Sequence, residues 1–320
     1  MKIRFLLFLF LFNLLIIEAN AQADFGFGYQ SDCGTSGAMK ELLQKNPVIN
    51  ALDSSIEQQL LIMHRTGGIA RRPMSIITLP VVVHIIHNNG PENISDARVL
   101  TAIQHLNEAF ANSRYYNPSD GVNTNIQFCL AQRDPYGNST IGITRDVSTY
   151  TNMNGPDYYS DDQRVKNINR WNPNCYINIW LVNSIPGAVA GYAYLPSAHG
   201  NLVDGIIIEA SFFGNSYAED VVSIHEMGHY LGLYHTFEGG CANADCLIDG
   251  DKVGDTPPDN STAYTSCNIP VNSCTTDAQS GFATDQNDLT SDYMDYGNWN
   301  CMSVFTQGQA DRMNWMITKV

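Results

Sequence analysis

The stretch HEMGHYLGLYH, residues 225–235, places three histidines and a glutamate around a glycine that interrupts its own helix. Ser216 and Glu219 upstream are spaced as a capping box, so a helix is expected to begin near Tyr217. His225 and His229 then lie about one turn apart and project from the same face. That geometry offers one metal ion two nitrogen ligands. Glu226, next to His225, can reach a water at such an ion without being a ligand itself. A helix continued to residue 235 would carry His235 off that face. Gly232 adopts left-handed backbone angles at little cost, so it can stop the helix and let His235 return from another direction. Three histidines leave a fourth position open, the pattern of a catalytic zinc site rather than a closed structural one. A chance match to all five defining positions is on the order of one in ten thousand for a chain of this length.

The rest of the 320 residues bounds the reading. The net charge of −15 excludes nucleic acid as a natural partner. The acidity is uneven, with 12 Asp and Glu against 3 Lys and Arg from Phe237 to Val320. The opening MKIRFLLFLFLFNLLIIEANA has Lys2 and Arg4, an apolar run, and small residues at Ala19 and Ala21. It reads as a signal peptide over 1–21, giving a secreted, extracellular product with no membrane anchor in the mature form. Export permits disulfides, and five of the eight cysteines fall between Cys241 and Cys301 in a stretch with little periodicity.

Residues 22–72 carry short helical patterns broken at Pro47 and end in GGIARRP, where Arg71 and Arg72 form a cleavable linker. This segment reads as a propeptide. Residues 73–320 read as the catalytic domain, with an upper lobe over 73–235 and a lower lobe over 236–320. In the upper lobe, ITLPVVVHIIH, NIQFCLAQRD, YINIWLVNSI, GAVAGYAYLP and VDGIIIEASFF read as five strands, the fourth at an edge. SDARVLTAIQHLNEAFANS, capped by Ser95, reads as a long helix between them. The class is therefore α/β (α+β), a twisted mixed sheet with long helices. The lower lobe is irregular until FTQGQADRMNWMI, a C-terminal helix. His64, His84, His87, His105 and His199 receive structural roles only.

The spacing His-Glu-x-x-His-x-x-Gly-x-x-His is the metzincin signature. Together with HTFEGGC, GDKVGDTPP, SDYMDY, CMSVFTQGQADRM, PVVVHIIH and HLNEAFANS, the chain resembles the pappalysin-type metzincins, close to the ulilysin-like bacterial (cytophagalysin) branch. The likeness spans about residues 75–316. It implies a secreted zinc endopeptidase of two lobes with a peptide cleft between them. It implies that Met294 forms a methionine turn below the zinc ligands and that Tyr296 approaches the metal to hydrogen-bond the oxyanion. It implies disulfides Cys241–Cys274 and Cys267–Cys301, leaving Cys129, Cys175 and Cys246 unassigned. Asp251, Asp255 and Thr256 resemble a calcium loop, though Asp255 and Pro257 also suit simple turns. Cys33 in SDCGTSG resembles a cysteine switch whose thiolate would fill the open zinc position. If so, seven cysteines remain, and at least one further thiol is unpaired or bonded elsewhere. Relatives that cut before basic residues carry an acidic pocket residue where this chain has GNWNC with Trp299, so the resemblance does not extend to a strict preference for Arg or Lys after the cut, and a larger apolar residue there is the alternative.

The expected reaction is hydrolysis of peptide bonds in protein or peptide substrates by a monomer made as a latent zymogen. Zinc would polarise the carbonyl, Glu226 would serve as general base and acid, and Tyr296 would hold the oxyanion. The alternative is a zinc-stabilised extracellular binding or adhesion module without general proteolysis, which would not need Glu226.

Overall fold

The computed structural model describes residues 32–68, 75–116, 120–154, 158–242, 244–260, 266–267 and 269–319. The signal-peptide stretch 1–21 and the Arg71–Arg72 linker lie outside the described residues. In chain order the elements are β1 (Asp32–Cys33), α1 (Thr35–Lys45), α2 (Pro47–Arg65), β2 (Ile77–His87), α3 (Asp96–Phe110), β3 (Ile126–Leu130), β4 (Ile143–Val147), α4 (Tyr158–Lys166), β5 (Ile177–Val182), β6 (Val189–Ala193), β7 (Ile206–Glu209), α5 (Tyr217–Tyr230) and α6 (Gln307–Ile317).

The mixed α/β class expected from the sequence is the class found. The sheet holds seven strands in the order β1-β6-β7-β5-β2-β3, with β4 also paired to β2. Strands β3 and β4 share one edge of β2 end to end, against Ile77–Val81 and Val83–His87 respectively. Only β6 and β7 run antiparallel. Two strands exceed the five expected. ITRDV is short and half exposed, and Asp32–Cys33 is only two residues, so neither carries a periodic signal.

Parallel strands covered on both faces must be apolar throughout, and β5 is buried at every position. Their alternate side chains feed two cores. Val81, Val83, Ile85, Ile179 and Leu181 pack with Val99, Ile103, Leu106 and Phe110 of α3 and with Ile224 and Met227 of α5. Ile86, Trp180, Val182, Tyr192 and Ile207 face the other way, against Ala38, Met39 and Leu42 of α1 and Val165 of α4. The N-terminal segment is thus part of the second core. Its helices are longer than expected: α2 runs 19 residues, because Pro47 sits at the first helical position and starts a helix there rather than only ending one.

Among the described residues from Thr236 onward, the chain forms turns, one 3-10 turn at Asp277–Ser280, and α6. Disulfides Cys241–Cys274 and Cys267–Cys301 close loops of 33 and 34 residues. Loops of that length limit the unfolded chain by about 3–4 kcal/mol each. Cys33, Cys129, Cys175 and Cys246 are unpaired thiols. Three cysteines besides Cys33 are therefore free.

His84 is fully enclosed in the sheet and has a structural role. Its Nε2 donates to Asn178 Oδ1 at 3.0 Å, which makes Nδ1 the acceptor facing Thr144 Oγ1 at 2.8 Å. Its ring stacks on Trp180 at 5.2 Å. Burial pushes its pKa down to about 4. The unfolded chain therefore takes up a proton near pH 6.5 that the folded chain refuses until about pH 4. His84 should cost stability progressively as pH falls through that window, by about 3 kcal/mol at its lower end. Thermal midpoints of the chain and of His84→Gln between pH 7 and 4 check this, and the variant should lose less on acidification.

Candidate metal centre and active site

Helix α5 is set at both ends by its sequence. Ser216 Oγ accepts from Glu219 N at 3.2 Å and donates to the Glu219 carboxylate at 2.7 Å. At the other end Gly232 N reaches His229 O at 2.8 Å, Leu233 N reaches Gly228 O at 2.9 Å, and Gly232 takes φ +100°. The chain turns back, and His235 comes to face the helix.

The three imidazoles converge by their Nε2 atoms. His225 and His229 are 3.0 Å apart, His229 and His235 3.1 Å, and His225 and His235 3.3 Å. The Nδ1 atoms fix the tautomers. His225 Nδ1 donates to Tyr293 O at 2.5 Å and His229 Nδ1 to Leu233 O at 2.8 Å. A carbonyl only accepts, so Nδ1 carries the proton and Nε2 presents a lone pair. Burial drives all three histidines towards the neutral form, His225 to about 4. Neutral lone pairs aimed at one another cannot satisfy one another; they suit a cation. Tetrahedral zinc with bonds of about 2.0–2.1 Å needs donors about 3.4 Å apart, and this set fits it. His235 is further held by Ser36 Oγ at 3.3 Å from Nδ1 and by the Phe237 ring, stacked at 4.6 Å.

Residues far along the chain close the site. Met294 is buried against Gly228 of the motif, and its carbonyl accepts from Thr236 N at 3.2 Å. The Tyr296 ring lies 5.1 Å from His235 and 6.1 Å from His225. Its hydroxyl accepts from Cys33 N at 3.1 Å and donates to Cys33 O at 3.3 Å. Ligand atoms of Cys33, His225, His229 and His235 all lie within 4.8 Å of one another. Burial raises the Cys33 thiol, and the nearby Glu226 carboxylate raises it further. Glu226 is 1% exposed, and burial pushes it up to about 8. Its carboxylate accepts from Thr35 Oγ1 at 3.0 Å, and Thr35 Oγ1 accepts from Ala193 N of β6 at 2.9 Å.

His225, Glu226, His229, His235, Tyr296 and Cys33 therefore meet in one place. Thr35, Ser36, Phe237 and the Tyr293 carbonyl complete it and escaped the sequence reading. The one sequence signal for them is proximity: Thr35 and Ser36 stand two and three positions after Cys33, and Phe237 two after His235. The Tyr293 contribution comes from its backbone, which no residue type signals.

The calcium reading gains no support. The Asp251 carboxylate is taken up by Val253 N at 3.0 Å and Thr256 Oγ1 at 2.7 Å. Asp255 caps α6, accepting from Thr306 Oγ1 at 2.8 Å and Gly308 N at 2.9 Å. Among the described residues, the His–Cys group is the one cluster of such side chains arranged to hold a metal. Trp299 packs edge-on against Phe212, with centroids 5.5 Å apart.

Comparison with known proteins agrees with this geometry. Residues 159–318 match the peptidase M43 family model, described as pregnancy-associated plasma protein-A. An extracellular metalloprotease of Colletotrichum graminicola is 30% identical over 315 residues, covering 95% of either chain. The chain belongs to this family. A second extracellular metalloprotease, from Pyricularia oryzae, is 29% identical over 96% of this chain and 95% of its own. Among solved structures, a mutant promirolysin of Tannerella forsythia superposes with TM-score 0.69 at 30% identity, covering 88% of this chain and 92% of that one. Mature mirolysin with a cleaved peptide gives 0.63 at 32% identity, over 76% and 92%. As a pappalysin-type metzincin the chain is a metallopeptidase, a hydrolase acting on proteins or peptides, and the family implies a catalytic zinc.

A Cβ on residue 232 would stand 2.7 Å from Met316 Cγ, besides forcing a left-handed backbone on a residue that resists it. Gly232→Ala should destabilise the chain by about 2–4 kcal/mol. A urea titration at neutral pH checks it.

Proposed function

We propose that the chain is a secreted zinc-dependent endopeptidase made as a latent zymogen, with 1–21 as signal peptide, 22–72 as propeptide and 73–320 as catalytic domain. The observation that carries this reading is the convergence of the three Nε2 atoms beside Glu226, two of them fixed as lone pairs, with Cys33 of the N-terminal segment drawn in as the fourth member. The extracellular relatives and the promirolysin likeness support export and latency. Among the described residues no helix is long and apolar enough to cross a membrane.

Zinc held by His225, His229 and His235 would supply Lewis-acid polarisation of the scissile carbonyl and a bound water acidic near neutral pH. Glu226 takes the proton of the attacking water and passes it to the leaving amine. The Tyr296 hydroxyl, freed from Cys33, donates to the carbonyl oxygen as charge develops there. The edge of β6 pairs with the extended substrate backbone, which leaves specificity to side-chain pockets. Trp299, with no carboxylate near it between Gly297 and Cys301, favours a large apolar residue after the cut.

Latency follows from what the N-terminal segment occupies. Strand β1 lies along β6, with Gly34 N on Gly191 O at 2.9 Å, so the substrate's edge is taken. Thr35 holds the Glu226 carboxylate, and Cys33 holds the Tyr296 hydroxyl through its backbone. Each catalytic group already has a partner from the segment.

Cleavage of a proteome-derived peptide library by the processed protein tests the reading. Glu226→Ala should lower the rate by about 10²–10⁴-fold, and a zinc chelator should abolish it. Removal of residues 22–72 should release activity that the unprocessed parent lacks, whereas Cys33→Ala alone should stay largely latent, because β1, Thr35 and the residue-33 backbone still cover β6, Glu226 and Tyr296. No cuts from a zinc-loaded, processed sample would turn the reading to the binding module.

A further inference from the structure

Helix α2 inserts one carboxylate into the catalytic body. Glu57 pairs with the guanidinium of Arg312 on α6, accepts from Tyr234 OH at 3.0 Å and lies 3.6 Å from Lys252 Nζ. The three receiving groups are held independently of α2. Arg312 is 1% exposed, and its Nε donates to Gly232 O at 2.7 Å. The Tyr234 ring lies 5.1 Å below the guanidinium and 4.4 Å from Lys252 Nζ, and its hydroxyl accepts from that ammonium at 3.3 Å. Two cations and a hydroxyl thus converge on a point that the catalytic body builds and the N-terminal segment fills.

The acidic groups nearby do not cancel this charge. Asp251 is near Arg312, but its two carboxylate oxygens are already taken by Val253 N at 3.0 Å and Thr256 Oγ1 at 2.7 Å, and burial raises its pKa. Glu238 faces Lys252 and is also raised by burial. Asp53 lies near Tyr234 but belongs to α2 and leaves with it. Glu57 itself is held below the usual carboxylate range by Arg312 and Lys252, against the opposing effect of burial. Its departure would leave the guanidinium, still tied to Gly232 O through Nε, without its carboxylate and with Lys252 beside it, a pair of positive charges that favours an anionic replacement. Two connections lead from this cluster towards the site. Tyr234 adjoins His235, and α2 packs on the turn Pro196–Ala198, just past the end of β6.

We propose that Arg312, Lys252 and Tyr234 form a carboxylate-binding pocket, filled by Glu57 in the full chain and open to an acidic side chain of a peptide substrate once the N-terminal helices have left. The substrate half rests on the zymogen reading above; the pocket does not.

Two measurements test it. In the full chain, Glu57→Ala should lower the thermal midpoint. Acetate at tens of millimolar should raise that midpoint at least twice as far as it raises the parent's, while propionamide and sodium chloride should not. Adding Lys252→Gln should remove most of the acetate effect. Equal acetate shifts in parent and variant overturn the pocket. In the processed protein, cut sites in a peptide library should show Asp or Glu enriched at least two-fold at one fixed distance on one side of the cut, and Lys252→Gln should erase that enrichment. Cuts without enrichment overturn the substrate assignment. If the processed protein cuts nothing, the proteolytic reading fails while the acetate result still decides the pocket. If Glu57→Ala does not fold, the library decides.

Discussion

Three imidazole nitrogens held about 3 Å apart, two of them fixed as lone pairs by carbonyls behind them, are the constraint on which the site depends. Lone pairs brought that close repel one another, so each ring must be held from behind. The protein uses carbonyls for two of them, Tyr293 for His225 and Leu233 for His229. For the third it uses the Ser36 hydroxyl and the face of Phe237. Gly232 makes the Leu233 contact possible, because the turn that brings His235 around also aims that carbonyl back at His229. The same residue thus ends the helix, delivers one ligand and orients another. Second partners of this kind keep a metal-binding histidine in a single tautomer and raise its basicity.

The N-terminal segment meets each exposed chemical need of this site with a group of its own. The edge of β6 receives β1, the Glu226 carboxylate receives Thr35, the Tyr296 hydroxyl receives the backbone of Cys33, and the imidazole cluster receives the Cys33 thiol. Farther out, Met39 and Leu42 of α1 fill the second core, and Ile56 and Leu60 of α2 cover Trp315 and Met316. Polar contacts set the register at the centre, and apolar burial supplies area at the periphery.

Legibility in the sequence followed the range of the interaction. The histidines and Glu226 were readable because their geometry is local to one helix and one turn, and helical spacing encodes it. The five main strands were readable because most of their positions are buried, which favours runs rich in Val, Ile and Leu, interrupted only at places such as His84 and Asn178. The two further strands were not, since β4 is half exposed and β1 is ordered only by the edge it lies on. The length of α2 was misjudged at Pro47, where the residue that breaks one helix begins the next. Thr35 and the Tyr293 carbonyl act across 191 and 68 positions, and nothing in residue type announces a partner that distant. The disulfides were legible only through resemblance, because spacing alone does not fix which cysteines pair.

Strand β1 meets Tyr296 across 263 positions of the chain. The N-terminal segment is made first, yet its partners come much later, the β6 edge at Val189–Ala193 and Tyr296 near the end of the chain. Contacts of such sequence separation are slow to form, because chain closure must come before they can stabilise anything. Throughout that interval Cys33 is an uncovered thiol in a chain with seven other cysteines, of which four are to be paired. Correct oxidation therefore depends on Cys241 and Cys267 finding partners 33 and 34 residues away before Cys33 finds any of them. The short closure of those two loops gives them the kinetic advantage over Cys33, and the thiol that waits longest is one the finished fold leaves unpaired.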